Sequence, residues 1–122
     1  MAFEHGLALR VIRKRKEQVT VECSLRPELF NGTGVVHGGV IAAIADEAVW
    51  FAIEHHFGDG RPVTTTELKV NYLRPVAGKK VVARAHLVRA GRRLCVGRVD
   101  MFDDRKRLVA IAIVTYIQLD QD

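Results

Sequence analysis

The chain has 122 residues, 48% of them hydrophobic and 27% charged, enough to build a core without disulfides or a structural metal and within the size of one globular domain. Its longest apolar runs, Val40 to Ala45 and Ala48 to Ile53, are separated by Asp46 and Glu47 and fall far short of the ~20 residues a membrane-spanning helix needs. The net charge of +5 is compatible with nucleic acid, a lipid surface or a phosphorylated small molecule and does not choose among them.

In chain order, Met1-Ala2-Phe3-Glu4-His5-Gly6 lacks a basic segment followed by an apolar one, so no secretory leader is expected and the cytoplasm is the default location. Residues 7–14 and 17–25 are rich in Val, Leu and Ile and partly alternate with polar residues, with Arg13-Lys14-Arg15-Lys16 between them. That pattern predicts a hairpin. Residues 38–57 are nearly continuously apolar and rich in Ala, with Gly58 just beyond, which predicts a buried helix rather than a strand. Residues 62–74, 80–90, 92–102 and 107–118 then predict strands, with turns at Val76-Ala77-Gly78, Ala90-Gly91 and Asp103-Asp104; the last three match a meander. No linker, repeat or low-complexity stretch interrupts residues 1–122, so a single domain is expected. Cys23 and Cys95 have neither zinc-ligand nor Cys-x-x-Cys spacing and are expected to be reduced residues of the core.

One apolar helix among antiparallel strands implies an α+β layer in which a curved sheet covers the helix. A helix apolar nearly all round needs more cover than one sheet face provides, and in so short a chain a second copy is the expected source. A homodimer, or a dimer of dimers, follows as the expectation.

Several chemistries are disfavoured by what the chain lacks. Ser24 is its only serine and has no Gly-x-Ser-x-Gly around it; Gly32-Thr33-Gly34 lacks the third glycine of a dinucleotide fingerprint; no Walker-type loop occurs. No histidine pair has metalloprotease spacing, and His55-His56 is expected to be a solvated helix end. We expect no metal and no cofactor.

The residues that remain run from Asn31 through Gly32-Thr33-Gly34-Val35-Val36-His37 to Gly38-Gly39, straight into the helix carrying Asp46 and Glu47. Glycines at a helix start let a ligand approach unpaired amides that the helix dipole favours for an oxyanion, or they simply let the helix end pack against a strand. Asp46 has Ala42, Ala43, Val49 and Trp50 as its helical neighbours, so a carboxylate there carries a desolvation cost unless it is paired or used in catalysis. One of Asp46 and Glu47 is expected at a solvent-facing seam, and composition does not say which. His37 and Asp46 are nine residues apart, about 13.5 Å at about 1.5 Å per residue. If Gly38 forms the oxyanion hole and Asp46 is the base, they must serve one substrate carbonyl from different subunits.

These residues resemble the hot-dog-fold thioesterases, specifically the phenylacetate-degradation and 4-hydroxybenzoyl-CoA thioesterase group. The resemblance covers nearly the whole chain and rests on Asn31, His37-Gly38-Gly39, Ala45-Asp46-Glu47-Ala48, Asn71-Tyr72-Leu73-Arg74-Pro75 and Arg89-Ala90-Gly91-Arg92-Arg93-Leu94. It implies a hot-dog fold, an antiparallel sheet wrapped around one long central helix, and hydrolysis of an acyl-CoA thioester to a carboxylic acid and free CoA. It implies that Asp46 is general base or nucleophile and that the Gly38 amide polarises the thioester carbonyl. Asn31 and His37 would orient substrate or that amide, with Gly39 beside them, and a hydroxyl within Thr64-Thr65-Thr66, taken as Thr65, would assist the attacking water. A thioester needs a positioned water, one base and carbonyl polarisation, without a metal.

Most basic residues are expected at solvated hairpin ends, but Arg92 and Arg93 could grip CoA phosphate. Nucleic acid is not the expected partner, because no recognition helix or aromatic stripe accompanies the charge, and a membrane is not expected either. Trp50 and Phe51 are expected in the core rather than in an acyl pocket. Two rival functions stand beside hydrolysis. One is a non-catalytic acyl-CoA-binding module, which thiol release would exclude. The other is a dehydratase of hydroxyacyl thioesters with His37 and Asp46 as its acid-base pair, which an enoyl product would reveal.

Overall fold

The computed structural model describes residues 6–119; Met1 to His5, within the stretch where no leader is expected, and residues 120–122 lie outside it. The elements are β1 (Leu9–Arg15), β2 (Gln18–Ser24), a 3-10 turn at Pro27–Leu29, helix α1 (Gly38–Phe57), β3 (Val63–Tyr72), β4 (Lys80–Ala90), β5 (Leu94–Phe102) and β6 (Leu108–Gln118). The helix has the predicted bounds, and the strands end within two residues of those expected. The first hairpin differs in detail. Arg13 to Arg15 belong to β1, and the turn is only Lys16-Glu17, because Arg15 already pairs with Gln18; Glu17 takes a positive φ of 60° to close it.

The strands form one six-stranded sheet in the order β1-β2-β4-β5-β6-β3, and every pairing is antiparallel. The β4-β5-β6 meander is the predicted one. The helix intervenes between the first hairpin and β3, so β2 joins the meander beside β4 while β3 returns to the far edge beside β6. This α+β layer, one helix in the curve of an antiparallel sheet, is the hot-dog arrangement.

Alternation along the strands builds one core under the helix. Val81, Ala83, Ala85 and Leu87 of β4, Cys95, Val99 and Met101 of β5, and Ala110, Ala112, Val114 and Tyr116 of β6 are buried against Ile41, Ile44, Ala45, Ala48, Val49, Ala52 and Ile53 of α1. Each fully buried Ile or Val contributes about 1.5–3 kcal/mol. Cys23 and Cys95 lie in this core as unpaired thiols, and burial pushes the Cys23 thiol up to about 11. Trp50 and Phe51 pack edge to face, their rings 5.2 Å apart, as partly buried members of the same cluster.

The helix makes a close approach where β5 has no side chain. A Cβ on Gly97 would lie 2.7 Å from both methyl carbons of Val49, closer than carbon atoms can approach. We therefore expect Gly97→Ala to lower stability by about 1–3 kcal/mol through overpacking, measured as a lower urea midpoint with an unchanged slope at fixed protein concentration.

Candidate functional site

Asp46 lies on the side of α1 that the sheet leaves half open, and β3, the edge strand, runs beside it. The Thr65 hydroxyl donates to Asp46 Oδ1 at 2.7 Å. Directly after Thr65 the register with β6 slips by one residue, so that Thr65 faces Tyr116 and Glu67 faces Thr115. This bulge turns Thr65 toward the helix before the strand resumes its alternation. The structure thus brings together Asp46 and the threonine selected from three consecutive ones.

Beneath them is a residue to which sequence reasoning assigned no role. The Tyr116 hydroxyl donates to the backbone carbonyl of Asp46 at 2.9 Å, and the side chain is buried. Burial pushes the phenol above its ordinary range; the adjacent Thr65 hydroxyl pulls the other way, and the charges of Asp46 and Glu47 add to the rise. Tyr116 is therefore a permanent donor rather than an acid or base. Its signal in the sequence is that the inward positions of β6 carry Ala, Ala, Val and then one residue with a polar tip, which when buried requires a partner.

The structure decides between the two carboxylates of α1. If one of the two carboxylates faces a solvent seam, it is Asp46, half-buried at the open side, whereas Glu47 is only 4% exposed. One residue is a rotation of about 100° around a helix, and here that rotation carries the second carboxylate under the sheet.

At the other end of the site, His37 is the N-cap of α1 and Gly38 its first residue, so helix geometry leaves the Gly38 and Gly39 amides without intrahelical acceptors. Gly38 and Asn31 line one cleft of about 430 Å³ together with Tyr72, Arg74 and Ile41. The Tyr72 hydroxyl donates to the Gly38 carbonyl at 2.7 Å, and a Cβ on Gly38 would lie 3.3 Å from that hydroxyl, so glycine gives the ring its seat over the first turn. His37 and Gly39 line a different cavity, about 620 Å³, with Leu7, Leu29, Val40 and Ala43. The structure therefore separates His37 from Asn31.

Asn31 organises the loop that delivers this helix end. Its Oδ1 accepts from the Thr33 amide at 2.9 Å, the Thr33 hydroxyl at 2.7 Å and the Val35 amide at 3.2 Å. Because two of these donors are backbone amides, the oxygen must face the loop, and the Nδ2 hydrogens remain for a ligand oxygen.

Arg92 and Arg93 are exposed in the β4–β5 turn. The Arg93 carbonyl accepts from the Gln118 amide at 2.8 Å, and the Arg92 carbonyl accepts from the Arg61 guanidinium. That guanidinium also stacks 3.7 Å over Phe57. Gln118 pairs with Val63, two residues from Thr65, so both arginines sit at the Thr65 end of β3. His55 and His56 are exposed at the helix end, with His55 against the Arg15 carbonyl at 2.9 Å.

Within one chain the two halves of this site are far apart. Gly38 and Asp46 are eight residues apart on one helix, about 12 Å along its axis. One half offers oxyanion donors and the other an acceptor-rich carboxylate and hydroxyl.

Residues 33–110 match the family model described as Thioesterase superfamily. Among curated relatives, the medium/long-chain acyl-CoA thioesterase YigI of Escherichia coli is 28% identical, over 96% of this chain and 85% of that protein. Among solved structures, the conserved protein PA5202 of Pseudomonas aeruginosa superposes with a TM-score of 0.89 at 30% identity, covering 98% of this chain and 94% of that one. The thioesterase HI1161 of Haemophilus influenzae superposes with a TM-score of 0.87 at 25% identity, covering 98% and 85%.

The loop geometry generates a prediction. Asn31→Asp keeps an acceptor for all three loop donors and should hold stability within about 0.5 kcal/mol, whereas Asn31→Ala should cost about 0.5–1.5 kcal/mol by removing the acceptor that ties the loop together. Equilibrium urea unfolding of the two variants side by side checks this.

Proposed function

The chain belongs to the thioesterase superfamily, and from that premise we propose that it hydrolyses an acyl-CoA thioester to a carboxylic acid and free CoA at a site shared between two copies. The observation that carries this reading is the Thr65–Asp46 hydrogen bond. Thr65 has one hydroxyl proton and spends it on Oδ1, so its remaining capacity is to accept. Asp46 Oδ2 accepts as well. A water donating one hydrogen to each has its lone pair aimed away from both, as a nucleophile requires, and this favours Asp46 as base over Asp46 as nucleophile.

Attack of that water on the thioester carbonyl transfers its proton to Asp46 and forms a tetrahedral oxyanion, which the Gly38 amide and the positive end of α1 stabilise. Collapse breaks the carbon–sulfur bond, and the departing CoA thiolate takes the proton back from Asp46. Asn31 Nδ2 and the His37-Gly39 segment flank the amide from its two sides and orient the acyl group. Arg92 and Arg93 meet the phosphates of CoA. No step requires a metal or a cofactor.

Assembly of the site by two copies is supported by the edge strand. Leu68 and Tyr72 of β3 are 38% and 54% exposed, beside the half-open face of α1. Antiparallel pairing of β3 with its symmetry mate covers both and closes the sheet edge. Such pairing sets the start of one β3 opposite the end of the other, bringing Thr65 and Asp46 of one copy toward Tyr72 and Gly38 of its partner. A second apolar surface, Leu94, Ile113 and Ile117 on the outer face of β5 and β6, suits a dimer of dimers. The name of the Escherichia coli relative supports aliphatic chains of medium or greater length as substrates. The unpaired thiols, Cys23 and Cys95, fit a reducing cytoplasm.

A thiol-release assay over short, long and aromatic acyl-CoAs tests the activity. Asp46→Asn should lower kcat by about 10²–10⁴-fold, with Glu47→Gln as the comparison that shows which carboxylate the chemistry needs. A near wild-type rate for Asp46→Asn would reject the assignment, and an enoyl thioester without thiol release would point to the dehydratase.

Sedimentation of the active enzyme should find a dimer or tetramer. An active monomer would exclude the shared site. Charge removal at Arg92 and Arg93 should raise KM for CoA thioesters at low salt, and by less at high salt, where phosphate attraction is screened.

A further inference from the structure

Two hydrogen bonds reach Asp46 from one rung of the sheet. Thr65 and Tyr116 are direct cross-strand partners on β3 and β6; the threonine holds the carboxylate of Asp46 at 2.7 Å and the tyrosine holds its main-chain carbonyl at 2.9 Å. We infer that Tyr116 is a positioning residue for the hydrolysis, fixing the turn of α1 that carries Asp46 so that its carboxylate stays on the Thr65 hydroxyl. This inference rests on the reading of Asp46 as the base.

The need for such a residue follows from the packing. Asp46 is at the half-open side of α1 beside β3, so the apolar contacts of Ile44, Ala48 and Val49 seat the helix as a whole but do not hold the Asp46 turn directly. A base has to be held in a near-attack geometry, where displacement by about 1 Å can cost about 10²-fold in rate. Thr65 alone is a weak restraint, since it lies next to a bulge and holds only the side chain of Asp46. Tyr116 comes from β6, which is paired on both sides by β5 and β3, and its ring is 5% exposed. Its hydroxyl reaches a helix carbonyl that also serves the helix ladder and lies beside the Asp46 and Thr65 side chains, so it holds the backbone of that turn as well as the carboxylate. Raised above its ordinary range by burial, the phenol keeps its proton at any working pH.

Tyr116→Phe removes the hydroxyl and keeps the ring, a change that conserves volume. The expected result is a fall in kcat of about ten-fold or more with KM within about two-fold, since the variant still binds CoA through residues elsewhere. In a Thr65→Ala background the same change should cost much less, because both residues act through one carboxylate and their losses do not multiply. Thr65→Ser should keep the Tyr116 effect at full size.

A second measurement covers the case in which the phenylalanine variant unfolds. Tyr72 and Tyr116 are the two tyrosines of the chain, so 3-fluorotyrosine in a Tyr72→Phe background labels Tyr116 alone. Its fluorine resonance should move on Asp46→Asn and on Thr65→Ala. An active wild type with a Tyr116→Phe variant of equal kcat overturns the inference alone, as does a fluorine resonance indifferent to both substitutions, or a loss of kcat fully additive with that of Thr65→Ala. A wild type that releases no thiol from any acyl-CoA overturns the hydrolase reading and this inference together.

Discussion

The seating of Val49 against the bare backbone of Gly97 is the contact on which the rest of the molecule depends. A sheet of six strands can bury a twenty-residue helix only if it curves and if its inner side chains are short where the helix crosses. Ala83 and Ala85 on β4, Gly97 on β5, and Ala110 and Ala112 on β6 form that shallow trough. The larger Val, Ile and Met side chains fill its flanks. With the helix at this depth, the next stripe of α1 is left at the half-open side, beside β3. Asp46 is on that stripe because Ile44, Ala45, Ala48 and Val49 are on the other.

The same seating divides the polar groups into those that hold the structure and those left for chemistry. The Asn31 oxygen is consumed by its own loop and its amide hydrogens are not. The proton of Thr65 is consumed by Asp46, leaving the hydroxyl oxygen to accept. The Tyr116 proton is consumed by the helix backbone. Hydrogen-bond inventory of this kind constrains function more tightly than residue type, because each hydroxyl has a single proton to give. At the helix start the logic is reversed: glycines bring a backbone donor near the cleft while Tyr72 closes over the carbonyl side of the same turn.

Charge plays a more local part than the net +5 suggests. Asp103 is buried in the β5–β6 turn, and burial alone would raise its pKa; the Arg107 amide and guanidinium and the Arg105 amide outweigh that and hold it below the usual carboxylate range. Glu22 is likewise held low by hydrogen bonds from Arg10 and Lys80. Several basic residues at hairpin ends thus serve turns and strand edges. Arg61 is a further case, unremarked in the sequence, since it ties the helix end at Phe57 to the turn that carries Arg92 and Arg93.

The sequence by itself determined what depends on neighbours along the chain. The helix from Gly38 to Phe57, the meander, the turns at Ala90-Gly91 and Asp103-Asp104, and the pairing of a glycine-led helix start with a carboxylate nine residues from His37 all follow from periodicity, turn residues and spacing, which act over a few residues. Only the tertiary structure decided that β3 is an edge, that Asp46 rather than Glu47 is the carboxylate at the open side, that His37 and Asn31 face different cavities, and that Tyr116 reaches Asp46. Each of these depends on register between strands far apart in the chain, or on a helix rotation of about 100° per residue. An apolar pattern nearly continuous around the helix contains no information about that rotation. It is set by tertiary packing, the close seat of Val49 on Gly97 included.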